Sequence, residues 1–255
     1  MLKIDLNCDM GESTDLWQYV IEKDIELLKW ISSVNIACSY HAGDKETMDI
    51  LVKEAIKQNV SIGAHPSFPD KKNFGRTDMQ LSRERISEIV FDQIMILNNI
   101  VKSNGGRLQH IKPHGALYNM AAKDKNIASA ICEAVKNFDE EIILYGLSGS
   151  ELITTGEKFD LKTCSEVFAD RTYQDDGMLT PRTKANALIE DEDIACSQVL
   201  QMIKTGKVFS ISGNEINITA ETICIHGDGK HAIEFAKKIN LLMKENDIIL
   251  RSFHS

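Results

Sequence analysis

Little in this sequence marks it for a membrane, for export or for nucleic acid. No apolar run is long enough to span a bilayer. The opening residues, MLKIDLNCDMGE, turn acidic at once and lack the basic region and apolar run of a signal peptide, so a cytoplasmic location is expected. The formal net charge is −9, with no basic stripe to attract a phosphate backbone, which argues against nucleic-acid binding. There are six cysteines and no CxxC pair. Four of them lie in apolar strand-like runs, where a thiol behaves as a small hydrophobe, and an intracellular reduced protein is expected. Also missing are the GxxxxGK[ST] loop that cradles nucleotide phosphates and the HExxH spacing that fixes a metal on one helix. Only four prolines occur, with no Pro/Gly/Ser-rich linker, repeat or low-complexity segment to mark a boundary. One domain over residues 1–255 is expected.

What is present is an alternation of short apolar runs with longer amphipathic ones. Strands are predicted at 3–9, 33–41, 60–65, 108–114, 141–147, 162–168 and 222–227. Helical periodicity lies near 23–31, 45–58, 82–104, 119–136, 149–157, 187–204 and 230–245. This order predicts an α/β fold, a parallel sheet covered by helices. Residues 208–219 break it, with two alternating runs around Gly213-Asn214 that read as a β-hairpin.

Side-chain alternation separates an open sheet from a barrel. Ile4, Leu6 and Cys8 share one face of the first strand, and Asp5, Asn7 and Asp9 the other. Asn35, Ser39 and His41, then Ser61, Gly63 and His65, then His110, Lys112 and His114, repeat the polar face in later strands. Strands of a doubly wound sheet are covered on both faces and read as continuous apolar runs. A β/α barrel of about seven parallel strands with a polar lumen is therefore predicted, with an eighth strand left open.

Active sites of such barrels lie at the C-terminal strand ends. His41, His65, His110, His114 and His226, five of the seven histidines, fall near those ends. Asp9 ends the first strand and Glu12 follows in the turn; Glu166 lies on a strand, with Asp170 and Arg171 just beyond. Asp44 and Asp228 each follow a histidine after a glycine, and each is either a helix N-cap or a site carboxylate. Arg171 is either a structural ion-pair partner or a binder of a substrate carboxylate. Lys112 either balances buried charge or stabilises a developing oxyanion. The loop GAHPSFPD runs on into NFGR, which brings in Arg76. An Asp–His–His set from separate strands suits a divalent metal, and whether one binds is left open. GLSGSE (146–151) offers backbone N–H groups to a phosphate, or is a plain strand-to-helix turn.

Taken in order, DLNCDMGE, NIACSYHAGD, GAHPSFPD with FGR, KPHGALYN, SEVFADRTY with GMLTPR, and CIHGD resemble the LamB/YcsF family. The match runs from residue 5 to about 228. The resemblance implies an irregular β/α barrel similar to the glycoside hydrolase/deacetylase group. It implies the A component of a prokaryotic 5-oxoprolinase, which cleaves 5-oxo-L-proline to L-glutamate with ATP hydrolysis and works with partner subunits B and C. ATP is then a co-substrate, and the sequence does not say which subunit holds it. The family usually has Gly-Phe at Ser39-Tyr40, Pro at Lys45 and Gly at Asn186. None of these departures touches His41 or Asp44.

Opening an unstrained lactam requires activating its carbonyl or the attacking water. The catalytic candidates are Asp9 and Glu12 as general base, His41, His65 and His114 as proton donors to the leaving nitrogen, and Lys112 for developing charge. Asn7, Asp44, Arg76, Glu166, Asp170, Arg171, His226 and Asp228 are expected to bind substrate. Two other readings compete: a metal-dependent deacetylase or amidohydrolase acting without ATP, and a non-catalytic substrate-binding scaffold of the complex.

Overall fold

The computed structural model describes residues 2–16, 18–226 and 232–253. In chain order the elements are β1 (Leu2–Met10), α1 (Ile21–Leu27), β2 (Ser33–Ala37), α2 (Lys45–Lys57), β3 (Ser61–His65), α3 (Arg83–Ser103), β4 (Leu108–Ile111), α4 (Gly115–Ala121) and α5 (Lys125–Phe138). There follow β5 (Ile143–Leu147), α6 (Glu151–Lys158), β6 (Lys162–Phe168), α7 (Glu192–Thr205), β7 (Lys207–Phe209), β8 (Glu215–Asn217), β9 (Thr222–His226), α8 (Ala232–Glu245) and β10 (Ile248–Leu250).

Seven parallel strands close into a ring in the order β1-β2-β3-β4-β5-β6-β9. Closure comes from pairing Asp5–Asp9 of β1 with Thr222–His226 of β9. The predicted barrel is thus the fold. β10 pairs with Leu2–Ile4 of β1 outside the ring and has no counterpart in the sequence reading. The hairpin is present as β7 and β8, antiparallel, with Phe209 opposite Glu215.

The apolar strand face meets the helices. Ile4, Leu6, Cys8, Val34, Ile36, Ile62 and Ala64 are all buried in one continuous core. The longest helix, α3, turns Ile86, Ile89, Val90, Gln93, Ile94 and Leu97 inward, the three-and-four spacing of an amphipathic helix. Its start is fixed by Ser82, whose Oγ accepts the Arg85 N–H at 3.2 Å.

Three predicted elements differ, each for a local reason. β2 stops at Ala37 rather than at His41, because Ser39 takes a left-handed conformation (φ 70°). Glycine is the residue that adopts that region without steric cost. Alternation therefore does not carry His41 inward; the turn does. β4 ends at Ile111, yet Lys112 N–H still bonds Ala64 C=O (2.9 Å) and His114 N–H bonds Pro66 C=O (2.8 Å). The helix expected at 119–136 is two, α4 and α5, with Asp124 capping the second through Asn126 N–H at 2.7 Å.

Candidate functional site

The barrel lumen is filled by stacked layers of polar side chains that bond across strands. At the bottom, the buried Asp5 carboxylate accepts from Ser32 (2.6 Å), Ser33 (2.7 Å), Tyr145 (3.1 Å) and Thr222 (2.6 Å). Burial pushes its carboxyl up, against those four donors. Above it, Asn7 Nδ2 donates to Glu166 Oε1 (2.9 Å) and Thr222 Oγ1 (2.7 Å), and Asn7 Oδ1 accepts from Asn35 (2.7 Å). His110 reaches Asn35 Oδ1 at 2.7 Å from across the lumen. It can do so because residue 63 is glycine: a Cβ there would lie 2.1 Å from His110 Nε2. Asn7 and His110 thus support the site from beneath.

The next layer carries the charge. Lys112 Nζ donates to Asp9 Oδ1 (2.8 Å) and Asn7 Oδ1 (3.3 Å), lies 2.9 Å from Glu166 Oε1 and contacts Cys224 Sγ at 3.0 Å. Glu166 Oε2 accepts from the Tyr118 hydroxyl at 2.8 Å. Burial is the largest single influence and opposes the charge on Lys112, but Asp9, Cys224 and Glu166 together outweigh it, so the ammonium is held well above its usual range. Asp9 shows the mirror effect. Burial works against the carboxylate, yet the neighbouring His65 and Lys112 hold it well below the usual carboxylate range. Lys112 thus neutralises two carboxylates, the first of its two readings, and it also lines the cavity.

At the strand ends three imidazoles and a carboxylate converge. His65 Nδ1–H donates to the Lys112 carbonyl (2.7 Å), and His114 Nε2–H donates to the Phe74 carbonyl (3.0 Å). Each donation fixes the tautomer. The remaining nitrogens, His65 Nε2 and His114 Nδ1, face each other at 3.0 Å. Glu12 Oε1 is 3.3 Å from His114 Nδ1, 3.3 Å from His41 Nε2 and 3.9 Å from His65 Nε2. Asp9 Oδ2 stands 3.3 Å from His65 Nε2. His41 stacks on His114, centroids 3.9 Å apart and planes within 9°, and its Nδ1 is buried without a hydrogen-bond partner among the described residues. Burial pushes the His41 and His114 rings toward the neutral form, well below the usual imidazole value.

Backbone devices hold this cluster. Asp24 of α1 accepts the Gly11 N–H at 2.9 Å and so fixes the turn that carries Glu12. Gln93, buried in α3, grips Ser67 at both backbone groups (2.9 and 2.8 Å), fixing the loop after His65. Gly75 (φ 65°) lets the 73–76 loop press on the rings: a Cβ there would meet Ser67 Oγ at 2.2 Å and His41 Cβ at 2.9 Å. Sequence reading did not identify Gln93, Tyr118 or Arg182. A glutamine at an apolar helical position, and a tyrosine four residues after His114, were the available signals.

The opposite wall differs from expectation. Among the described residues Arg171 hydrogen-bonds no carboxylate. It donates to the carbonyls of Ala187 (3.2 Å) and Thr180 (2.6 Å) and so ties down the 180–187 loop. Burial and the nearby Arg182 push its guanidinium down to about 10. That loop places Arg182, which donates to His226 Nε2 at 2.7 Å. His226 Nδ1–H in turn donates to Asp170 (2.7 and 2.9 Å). Asp44 is exposed and caps α2 through Thr47 N–H (2.8 Å), away from the lumen, so of its two readings the cap is the one observed. Asp228 lies outside the described residues. GLSGSE is the turn into α6, capped by Ser150.

A cavity lined by Asp9, Glu12, His65, Lys112, Arg182 and His226 opens from the ring, and Arg76 stands at its edge, its guanidinium 4.8 Å above the Phe74 ring. It continues into a cleft of about 760 Å³ between the 115–127 and 178–183 segments. Asn7, Glu166 and His110 lie beneath this floor. All six cysteines are buried and free. Among the described residues, no helix is long and apolar enough to cross a membrane.

Comparison with known proteins agrees with this geometry. The chain is 49% identical over 253 residues to the A component of a 5-oxoprolinase from Bacillus licheniformis, covering 99% of both chains. The crystal structure of a lactam utilization protein from Thermus thermophilus superposes with a TM-score of 0.91 at 37% identity, covering 99% of this chain and 100% of that one. The LamB/YcsF family profile matches residues 4–255, and the chain belongs to that family.

Proposed function

We propose that this chain is the lactam-opening subunit of an ATP-dependent 5-oxoprolinase, converting 5-oxo-L-proline to L-glutamate beside subunits B and C. The observation that carries this reading is the Asp9 carboxylate at the cavity floor, kept ionised between Lys112 and His65. An ionised carboxylate in a water-poor pocket is a general base, and the adjacent ammonium stabilises negative charge growing on a carbonyl oxygen. The name of the Bacillus relative supports the substrate.

The ring amide is resonance-stabilised, and phosphorylation of its oxygen by ATP makes its carbon electrophilic. Water, losing a proton to Asp9, adds to that carbon. The C–N bond then breaks, the nitrogen takes the proton that Asp9 received from water, and an acyl phosphate forms. A second water releases L-glutamate and phosphate. Arg182, held by the His226–Asp170 pair, binds the substrate carboxylate through its fork of donors, the role first expected of Arg171. The chain acts as one barrel domain. The nucleotide itself is assigned to no one of the three subunits.

Reconstitution with subunits B and C, following ATP-dependent glutamate formation from 5-oxoproline, tests the reading. Turnover that needs all three proteins and is lost with Asp9→Asn supports it. No turnover with folded partners, or full turnover by Asp9→Asn, overturns it.

A further inference from the structure

From the convergence of His41, His65, His114 and Glu12 we infer that this chain binds one divalent transition-metal ion of the zinc class at the strand ends of the barrel. The four groups offer one ligand atom each, all within 4.8 Å of one another. Four of their six separations, 3.0, 3.3, 3.3 and 3.9 Å, bracket the edge of a tetrahedron. Metal–ligand bonds of about 2.0–2.1 Å give an edge of about 3.3–3.4 Å.

The hydrogen-bond directions point the same way. His65 and His114 each commit one N–H to a backbone carbonyl, so their lone pairs are what meet at 3.0 Å. Such second bonds orient metal-ligating imidazoles and set their tautomer. Two lone pairs and a carboxylate oxygen repel one another unless a cation lies among them. A single proton satisfies one pair of these atoms at a time, whereas a divalent ion satisfies all of them. The donor set, imidazole-rich with one carboxylate, favours zinc and its first-row neighbours over magnesium or calcium. Glu12, on the cavity side, is the ligand most readily displaced by an incoming oxygen. An ion held there supplies Lewis acidity to a carbonyl oxygen in the cavity.

This site draws on residues of four separate loops and strand ends. That is why no short spacing in the sequence reveals it.

The test uses the full chain alone, without partners, nucleotide or lactam. Its failure is therefore distinct from failure of the 5-oxoprolinase reading. Protein stripped with chelator is titrated with Co²⁺ and Zn²⁺, following cobalt d–d absorption, bound metal per chain and the shift in thermal midpoint. Expected are one ion per chain, tetrahedral cobalt bands and a raised midpoint. His65→Ala and Glu12→Gln should each weaken cobalt binding by at least about 100-fold, the upper end of what loss of a mere supporting contact costs. His226→Gln, outside the cluster, should keep the ion. Wild-type protein that takes up neither metal overturns the inference, as does binding unchanged in both cluster variants. If those variants do not fold, the wild-type stoichiometry and cobalt spectrum still decide.

Discussion

Lys112 and Glu166 form an ion pair at 2.9 Å in which the lysine side chain is 2% exposed and the glutamate not at all. Asp9 shares the same ammonium at 2.8 Å. Removing the cation leaves two carboxylates facing each other in the lumen without compensation. Breaking a buried pair from one side costs about 3–5 kcal/mol. Lys112→Met is expected to lower the unfolding free energy by that amount in urea and to abolish glutamate release. The double variant Lys112→Met/Glu166→Gln should recover part of the stability and none of the activity. A loss below about 1 kcal/mol, the range of exposed pairs, would contradict the burial argument.

The stacked rings His41 and His114 make stability depend on pH in one direction. Their folded-state affinities for protons lie below the ordinary value of 6.5. Above that pH both states are neutral and the rings contribute equally. Below it the unfolded chain takes up protons that the folded chain refuses, so stability falls as pH falls toward the folded values. For metal-stripped protein the slope should reach about 1.4 kcal/mol per pH unit per ring. Urea unfolding between about pH 7 and pH 5 reads it, and His41→Phe, which keeps the stack, should halve it. A flat profile over that range would sink the assignment.

Gly75 sits at φ 65° with the site rings against its α-carbon. Gly75→Ala combines an unfavourable backbone with a methyl placed 2.9 Å from His41 Cβ. The expected destabilisation is about 1–3 kcal/mol, the range of overpacked interiors, together with a loss of activity larger than the stability change alone produces. Gly105→Ala, at a similar angle (φ 74°) but with nothing within 4 Å, is the control for backbone strain. Equal effects at the two positions would remove the packing explanation.

Arg182 is exposed and bonded to His226, so its removal should leave folding intact. Arg182→Met is expected to raise KM for the lactam about 10- to 100-fold, the worth of a hydrogen bond between charged groups, with a smaller effect on kcat. Steady-state kinetics with all three subunits would show this. An unchanged KM removes Arg182 from substrate binding.

The barrel and its polar lumen were legible because Asp5, Asn7 and Asp9 alternate with Ile4, Leu6 and Cys8 over a full strand, and period-two patterning is a local signal. His41 was found for a reason that does not hold, since its strand ends four residues earlier. Its inward course depends on the Ser39 turn, a backbone angle that alternation cannot express. Arg171 was left between a structural and a binding role, because a cation beside an acidic cluster fits either. The 180–187 loop shows Arg171 serving carbonyls and Arg182 bonded to His226, and both line the cavity. β10 was missed because a three-residue strand with no turn signal pairing it to a neighbour, such as Gly213-Asn214 gives β7 and β8, carries too little pattern to read.

The pairing of β1 with β9 sets the timetable of assembly. Asp5 and Asn7 are among the first residues made, and Thr222, whose hydroxyl donates to Asp5 and accepts from Asn7, comes more than two hundred positions later. Loop closure over such a span is slow, and the half-built sheet presents open edges meanwhile. A nascent chain released before β9 emerges has open strand edges on β1 and β6 and lacks the Thr222 hydroxyl that joins Asp5 to Asn7, so truncation ahead of β9 should yield aggregate rather than a smaller barrel.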